Sequence, residues 1–303
     1  MLGQAIIKQL AGRNDVAVLA LYRNDPPKSE IANIQVTTGD LARPGDMTPL
    51  LKDFGPTVFI HTAATGMQLP RPNTEELTEI NARMPVRLAE VVAGIGHCSF
   101  VHLSSGLAYT DQGRPLRETD PLDTEHPYGA SKAEAEKQLR TTARQRGLRL
   151  TIARPFSFTG EGDFGTRLFP SLLRSAFEQT RFEMSAGDQV RAHSSVDDIA
   201  AGVMAVALAP DEQTGQAYNL GTGDTRTLRE LVTSVIDQLG LNVDVEFGAR
   251  PHAMNEPMFM VPDMTHTRKA LGWQARENVA HAVWRLVQRS FPSLVTKEPA
   301  RYL

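Results

Sequence analysis

Short apolar runs alternate with amphipathic segments along the first half of the chain. Leu2, Ile6, Ile7 and Leu10 recur at helical spacing, and Val16 to Tyr22 is a continuous apolar run that suits a buried strand. Ile34 to Thr38 predicts a second strand, ended by a Gly-Asp turn, and Asp46 to Phe54 a short helix. Thr57 to His61 predicts a third strand, and Thr74 to Gly94 a long helix with Thr74 as its N-cap. Ser99 to Leu103, a helix over His126 to Arg146, and a strand over Leu148 to Ala153 complete the series. Apolar strands alternating with amphipathic helices predict an α/β fold with a doubly wound parallel sheet covered on both faces.

After Pro155 the rhythm changes. Gly160 to Gly165 is a loop, and helices are predicted over Leu168 to Glu178, Val196 to Leu208 and Thr227 to Leu239. Strands are predicted over Ala217 to Leu220 and Val243 to Phe247, then helices near Thr267 to Leu271 and Val279 to Ser290. No repeat, low-complexity tract or flexible linker interrupts this. The expected division is a cofactor-binding unit over residues 1–154, to which 193–223 return. A smaller substrate-binding region then comprises 155–192 and 224–303.

Composition narrows the class. The formal net charge of −3 over 303 residues offers nothing to nucleic acid or an anionic membrane. A single cysteine, Cys98, excludes an intrachain disulfide framework and points to a reducing compartment. The apolar runs are far below the roughly 20 residues that span a bilayer, and the first residues lack a basic-then-apolar signal segment. The expectation is a cytoplasmic protein. No His/Cys/Asp cluster has metal-ligand spacing.

The sharpest chemical signal is Tyr128-Gly-Ala-Ser-Lys132. Residues four apart share a helix face, and an ammonium beside a phenol favours the phenolate. Tyr128 would then exchange a proton with a carbonyl or alcohol. Upstream, Ser104 and Ser105 end a strand, where a hydroxyl is placed to hydrogen-bond a reacting oxygen. Tyrosine and lysine at this spacing also occur on plain solvated helices, so the pair alone does not identify an enzyme.

Several further motifs stand in a fixed order. They are Gly39-Asp-Leu41, His61-Thr-Ala-Ala64, Asn81 in the long helix, Ser104-Ser105 with Tyr109 four residues on, and the Tyr128/Lys132 pair. Ala153-Arg-Pro155, Gly187 to Arg191 leading to Val196-Asp-Asp198, Tyr218 to Gly223, and Leu271-Gly-Trp273 follow. Over nearly its whole length the chain resembles the extended short-chain dehydrogenase/reductases, in particular their nucleotide-sugar epimerase, dehydratase and reductase branch. The resemblance implies a Rossmann fold, with Tyr128 as acid/base, Lys132 holding the nicotinamide ribose, and Ser105 as the catalytic hydroxyl, with Ser104 its rival. It implies Asn81 near the cofactor and Thr62, Ala63 and Ala64 as a small-residue wall. Asn81 is otherwise a polar residue within a helix, and the wall a well-packed strand end. His61 reads as a satisfied buried histidine, and a homodimer through the two long helices is implied by the resemblance alone.

The same fold opens with a strand and a glycine-rich turn whose following helix holds the pyrophosphate. Here Gly3 resembles the third glycine of that turn, already running into the helix. The expectation is a first strand missing from this sequence and a natural start about a dozen residues upstream. The residue after the second Rossmann strand reads the adenosine ribose. Arg23 stands there, with no acid before Asp25, which points to NADP, with NAD possible. Asp40 and Leu41 are expected near the adenine.

For the reaction, dehydratases of the family carry an acid directly beside the catalytic hydroxyl; Ser105 is followed by Gly106 and Leu107. The tail, Phe247 to Arg250 and Asn255 to Phe259, resembles CDP-abequose synthase-type 4-ketoreductases. Arg191 and Arg250 resemble an arginine clamp on a substrate diphosphate, for which guanidinium forks are suited. Ser157 replaces an asparagine often found at a substrate contact. Residues 168–173 either line the nucleotide pocket or pack the core. The expected activity is NADPH-dependent reduction of the 4-keto group of a nucleotide-diphospho-6-deoxy sugar. A nucleotide-sugar 4-epimerase and a non-catalytic nucleotide-binding relative are the alternatives; a pure binder has no need of the Ser/Tyr/Lys set.

Overall fold

A computed structural model describes residues 1–24, 26–27, 31–67, 72–210 and 214–302. Asp25 lies outside them. The strands in chain order are β1 (Val18–Tyr22), β2 (Ile34–Thr38), β3 (Val58–His61), β4 (Ser99–Leu103), β5 (Leu150–Pro155) and β6 (Ser157–Thr159). They continue with β7 (Phe182–Met184), β8 (Val190–Arg191), β9 (His193–Ser195), β10 (Ala217–Leu220), β11 (Val245–Phe247) and β12 (Phe259–Met260). The larger sheet runs β10-β5-β4-β3, and a second pairs β1 with β2; every ladder in both is parallel. No ladder joins β1 to β3, the strands that flank the innermost position of a doubly wound order. Burial follows this break. Strands β5 and β10 are buried at every residue, whereas β1 and β3 are mostly half-buried.

Helices cover both faces. On one side α1 (Leu2–Leu10) lies under a cluster that includes Ile199 and Val203 from the later 196–207 helix. On the other, α2 (Thr48–Phe54), the 74–93 segment and α5 (Pro127–Arg146) bury Leu51, Leu88 and Leu139 against Phe100 and Ile152. The 74–93 segment is not one regular helix. Helix α3 (Thr74–Thr78) passes through a π turn at Glu79–Arg83 into α4 (Met84–Ala93). Pro85 has no N–H to return to the carbonyl four residues back, so the ladder widens there. The N-cap is Asn73, whose side chain accepts from the Glu76 amide, rather than Thr74.

A second core joins α6 (Leu168–Glu178), α8 (Leu228–Leu239) and α10 (Val279–Ser290), while α7 (Val196–Ala207) and α9 (Thr265–Leu271) pack beside β10. Helix α8 opens with a capping box between Thr227 and Glu230. Among the described residues, three small parallel pairs, β6–β9, β7–β11 and β8–β12, lie outside the larger sheet, and β6 follows β5 directly. Sequence periodicity does not reveal most of them, because strands of two or three residues carry no period. Among the described residues no helix is long and apolar enough to cross a membrane.

Candidate active site

Two adjoining cavities, of about 240 Å³ and 310 Å³, open at the carboxyl ends of β3, β4 and β5. They share Met67, Leu107, Ser157, Phe158, Arg167 and Arg191. The first holds Ser104, Ser105, Tyr128 and Lys132. Its floor is made by local folding. His126 caps α5 by accepting from the Gly129 amide, which places Tyr128 in the first turn with Lys132 one turn on. Ser105 caps a 3-10 turn, its Oγ accepting from the Leu107 amide at 3.1 Å. The cap uses an Oγ lone pair and leaves the Ser105 hydroxyl proton for a ligand. Ser104 Oγ lies beside it, buried and with no hydrogen-bond partner.

Lys132 is buried and donates to the Leu103 carbonyl at 2.8 Å, with its ammonium 5.9 Å from the Tyr128 ring centre. Burial draws its pKa down to about 8, against the pull of Glu136. The phenol of Tyr128 is not lowered below its ordinary value: burial pushes it up to about 12, and the opposing charge is that of Arg167. Removing a phenolate from water outweighs the attraction of that cation. His61, read as a satisfied buried histidine, is only half satisfied. Its Nδ1 lies 3.3 Å from Nδ1 of His102, and both Nε2 atoms are without partners. Burial draws the pKa of His61 down to about 3, so it is neutral.

Asn81 does not face the cavity. It is fully buried, its amide oxygen accepting from the Thr65 amide and its nitrogen donating to the Thr65 carbonyl and Ser131 Oγ. It ties the loop after β3 to α5, a role its place within a helix could not reveal. Thr62 and Ala64 line the first cavity; Ala63 does not. Gly3 stands where a Cβ would lie 2.9 Å from Thr62 Oγ1, so glycine allows the first turn of α1 to lie on the end of β3. A helix N-terminus, small strand-end residues and the Lys132 ammonium on one cavity fit the pyrophosphate and nicotinamide-ribose end of a dinucleotide. Arg23 is exposed at the end of β1, Asp40 is exposed and accepts from the Ala42 amide, and Leu41 packs against the core. None of the three lines these cavities.

The second cavity adds His126, Asp163, Leu168, Phe169, His193 and Glu256. Leu168 and Phe169 line it, whereas Leu172 and Leu173 are core residues. Ser157 lines both cavities. The two arginines expected to act together are separated in role. Arg191 lines both cavities and is held by Glu256 at 2.8 Å, whereas Arg250 lines neither and reaches Glu183 at 3.4 Å from the surface. Long side chains on a surface loop keep their charge in water, which explains the position of Arg250. Arg167, which sequence reasoning missed, also lines both cavities. Only its tertiary hydrogen bonds, to Asp163 and to the Phe158 carbonyl in β6, give it away.

Known proteins fit this geometry. The family model "NAD dependent epimerase/dehydratase family" matches residues 1–221. The chain is 25% identical over 301 residues to a UDP-glucose 4-epimerase of Lactobacillus helveticus, covering 92% of this chain and 90% of the relative. It is 26% identical to the dTDP-6-deoxy-L-talose 4-dehydrogenase (NAD(P)(+)) of Kitasatospora kifunensis, over 88% of this chain and 85% of that one. The solved structure of MoeE5 in complex with UDP-glucuronic acid and NAD superposes with a TM-score of 0.85 at 23% identity, covering 97% and 96% of the two chains. The chain is therefore an enzyme of the short-chain dehydrogenase/reductase type, and belongs to the NAD-dependent epimerase/dehydratase family.

Proposed function

We propose that this enzyme reduces the C4 keto group of a nucleotide-diphospho-6-deoxy sugar with NADPH. The observation that carries the reading is the adjacency of the two cavities: Ser105, Tyr128 and Lys132 line one, and Arg167 and Arg191 line both. A sugar carbonyl held at Tyr128 and Ser105 would extend its diphosphate toward the two guanidinium groups. Residues 1–154 with 193–223 would hold the cofactor, and 155–192 with 224–303 the substrate.

Nicotinamide, when bound, supplies hydride. Tyr128 gives its proton to the developing alkoxide, a step suited to a phenol that stays protonated to high pH. Ser105 donates its free hydroxyl proton to the same oxygen. Lys132, tied to the Leu103 carbonyl and 5.9 Å from the Tyr128 ring centre, would hold the nicotinamide ribose. Dehydration is disfavoured at this site: a Cβ on Gly106 would lie 2.8 Å from the Phe156 ring, which leaves no room for an acid beside Ser105. Arg23, exposed at the end of β1, is available to a 2′-phosphate, which supports NADPH over NADH.

The 4-dehydrogenase relative acts at the same sugar carbon by its name, which supports this reading. The UDP-glucose 4-epimerase likeness over 92% of the chain favours a second one, reversible oxidation and reduction at C4. Incubation with 4-keto-6-deoxy sugars on dTDP, UDP and CDP, with NADPH or NADH, separates them. The reductase consumes cofactor in proportion to product. Interconversion of UDP-glucose and UDP-galactose without net cofactor consumption would replace that reading with the epimerase.

A further inference from the structure

His126 fixes the first turn of α5 twice. Its ring Nδ1 accepts from the Gly129 amide at 3.3 Å, and its carbonyl accepts from the Ala130 amide at 2.8 Å. Tyr128 lies between the cap and these two amides, with its own carbonyl held by Ser131 Oγ at 2.7 Å. The backbone of this turn therefore decides where the phenol stands in the first cavity, while His126 itself lines the second.

The other side chains that cap helices or helical turns among the described residues are Asn73, Ser105, Ser195, Thr227 and Asn278. Amide and hydroxyl oxygens accept at any pH, whereas an imidazole nitrogen accepts only while the ring is neutral. A protonated ring turns Nδ1 into a donor facing the donor of Gly129, and adds positive charge at the positive end of the helix. Imidazoles change charge between about pH 5 and 8. This cap therefore exists with the ring neutral and is lost when the ring takes up a proton.

Other charged groups surround the turn. The second cavity presents Asp163 paired with Arg167, Glu256 paired with Arg191, and His193, which burial keeps neutral. Asp123 and Glu125 precede His126, and the 106–108 turn packed on α5 brings no charge. In the 74–83 segment, also packed on α5, Glu75 and Glu79 pair with Arg83, and Glu76 is exposed. On α5 itself Lys132 follows one turn after Tyr128, and farther along Arg87 pairs with Glu79, Glu90 with Arg146, and Arg154 with Glu136. Asp163 is the acid whose pKa burial raises, so it is the rival source of a loss of activity in acid.

We infer that His126 is a positioning residue for Tyr128: its neutral ring holds the turn that presents the phenol, and proton uptake by the ring lets that turn go. This rests on Tyr128 as the proton donor proposed above, and adds a means by which acid turns the site down.

Tyr128-Gly129 is the only Tyr-Gly step in the sequence. Full-length protein made with carbonyl-labelled tyrosine and amide-labelled glycine therefore gives one NMR signal for the Gly129 amide. That signal should follow a single titration between about pH 5.5 and 7.5 in the wild type, and stay fixed in His126→Asn, whose oxygen caps at every pH. A typical N-cap is worth a factor of about 2 to 30 in the population of its turn. By that factor kcat for the 4-keto sugars should fall in acid in the wild type, with KM little changed, and should be lowered at every pH in His126→Ala. His126→Asn should rescue kcat and remove the acid limb. A Gly129 signal that does not titrate, or that titrates equally in His126→Asn, overturns the inference. So does an acid limb that persists in His126→Asn, which would belong to Asp163. A Gly129 signal that behaves as expected in a protein with no turnover of any 4-keto sugar overturns the reductase reading and leaves the cap intact.

Discussion

Gly129 packs so closely on Leu107 that a Cβ at Gly129 would stand 1.9 Å from the Leu107 carbonyl oxygen. This contact sets the distance between the two halves of the acid/base group. Gly129 follows Tyr128 in the first turn of α5, and Leu107 sits two residues beyond Ser105 in the turn it caps. The methyl of Gly129→Ala would meet the Leu107 backbone first, and also the Thr124 Cγ2 methyl at 2.9 Å, so α5 must move away from the 105–108 turn. The expected outcome is a loss of about 1–3 kcal/mol of stability and a fall in kcat of about a hundredfold from the misplaced phenol. Thermal melts and steady-state kinetics check both; near-normal kcat would show that the contact does not set the site.

The buried histidines give the protein a defined acid weakness. Burial draws the folded pKa of His61 and His193 down to about 3, and that of His102 well below its ordinary 6.5. A folded pKa below the unfolded one means the unfolded chain takes up protons that the folded chain refuses. Stability is therefore intact above pH 6.5 and lost as pH falls from there towards 3. Each such group contributes a slope of about 1.4 kcal/mol per pH unit within that window. Replacing both His61 and His102 by Phe should flatten the fall measured by denaturant unfolding between pH 6.5 and 5, with little change at pH 7. An unchanged slope would mean that these rings titrate normally.

Arg154 and Glu136 form a buried bidentate pair at 2.8 and 2.6 Å, and Tyr109 lies against the same guanidinium. Glu136→Gln leaves a buried guanidinium without its counter-ion and is expected to cost about 3–5 kcal/mol. The double variant Glu136→Gln/Arg154→Met should lose less than the sum of the two single losses, since neither charge is then stranded. Glu136 also lies one turn beyond Lys132 and holds its pKa up. Its removal lets Lys132 deprotonate at lower pH, so an alkaline limb set by Lys132, expected near pH 8, should move down. A full pH–rate profile of Glu136→Gln measures this shift, and an unmoved limb would separate Glu136 from the site.

Much of this was legible in the sequence because local rules decide it. Tyr128 and Lys132 share a face because four residues make about one helical turn, and Leu168 to Glu178 shows its apolar stripe plainly. What stayed hidden depends on distant partners. Nothing local to Arg167 announces that Phe158 and Asp163 will hold it in a cavity, and nothing local to Asn81 announces Thr65. The Tyr128 phenol was expected to be lowered by Lys132. The competing burial is a property of the packed site and not of a spacing. Arg250 and Arg191 look equivalent as letters and differ only once β8 pairs with β12 and carries Arg191 inward.

The central claim is that Tyr128 supplies the proton for nicotinamide-dependent reduction of a nucleotide-linked 4-keto sugar. The most direct measurement is NADPH oxidation with dTDP-, UDP- and CDP-linked 4-keto-6-deoxy sugars, comparing wild type with Tyr128→Phe. The account predicts substrate-dependent turnover in the wild type and a loss of about 10²–10⁴-fold in kcat for the variant, the usual scale of general acid catalysis. Turnover retained by Tyr128→Phe, or no turnover by the wild type with any of the three, would contradict it.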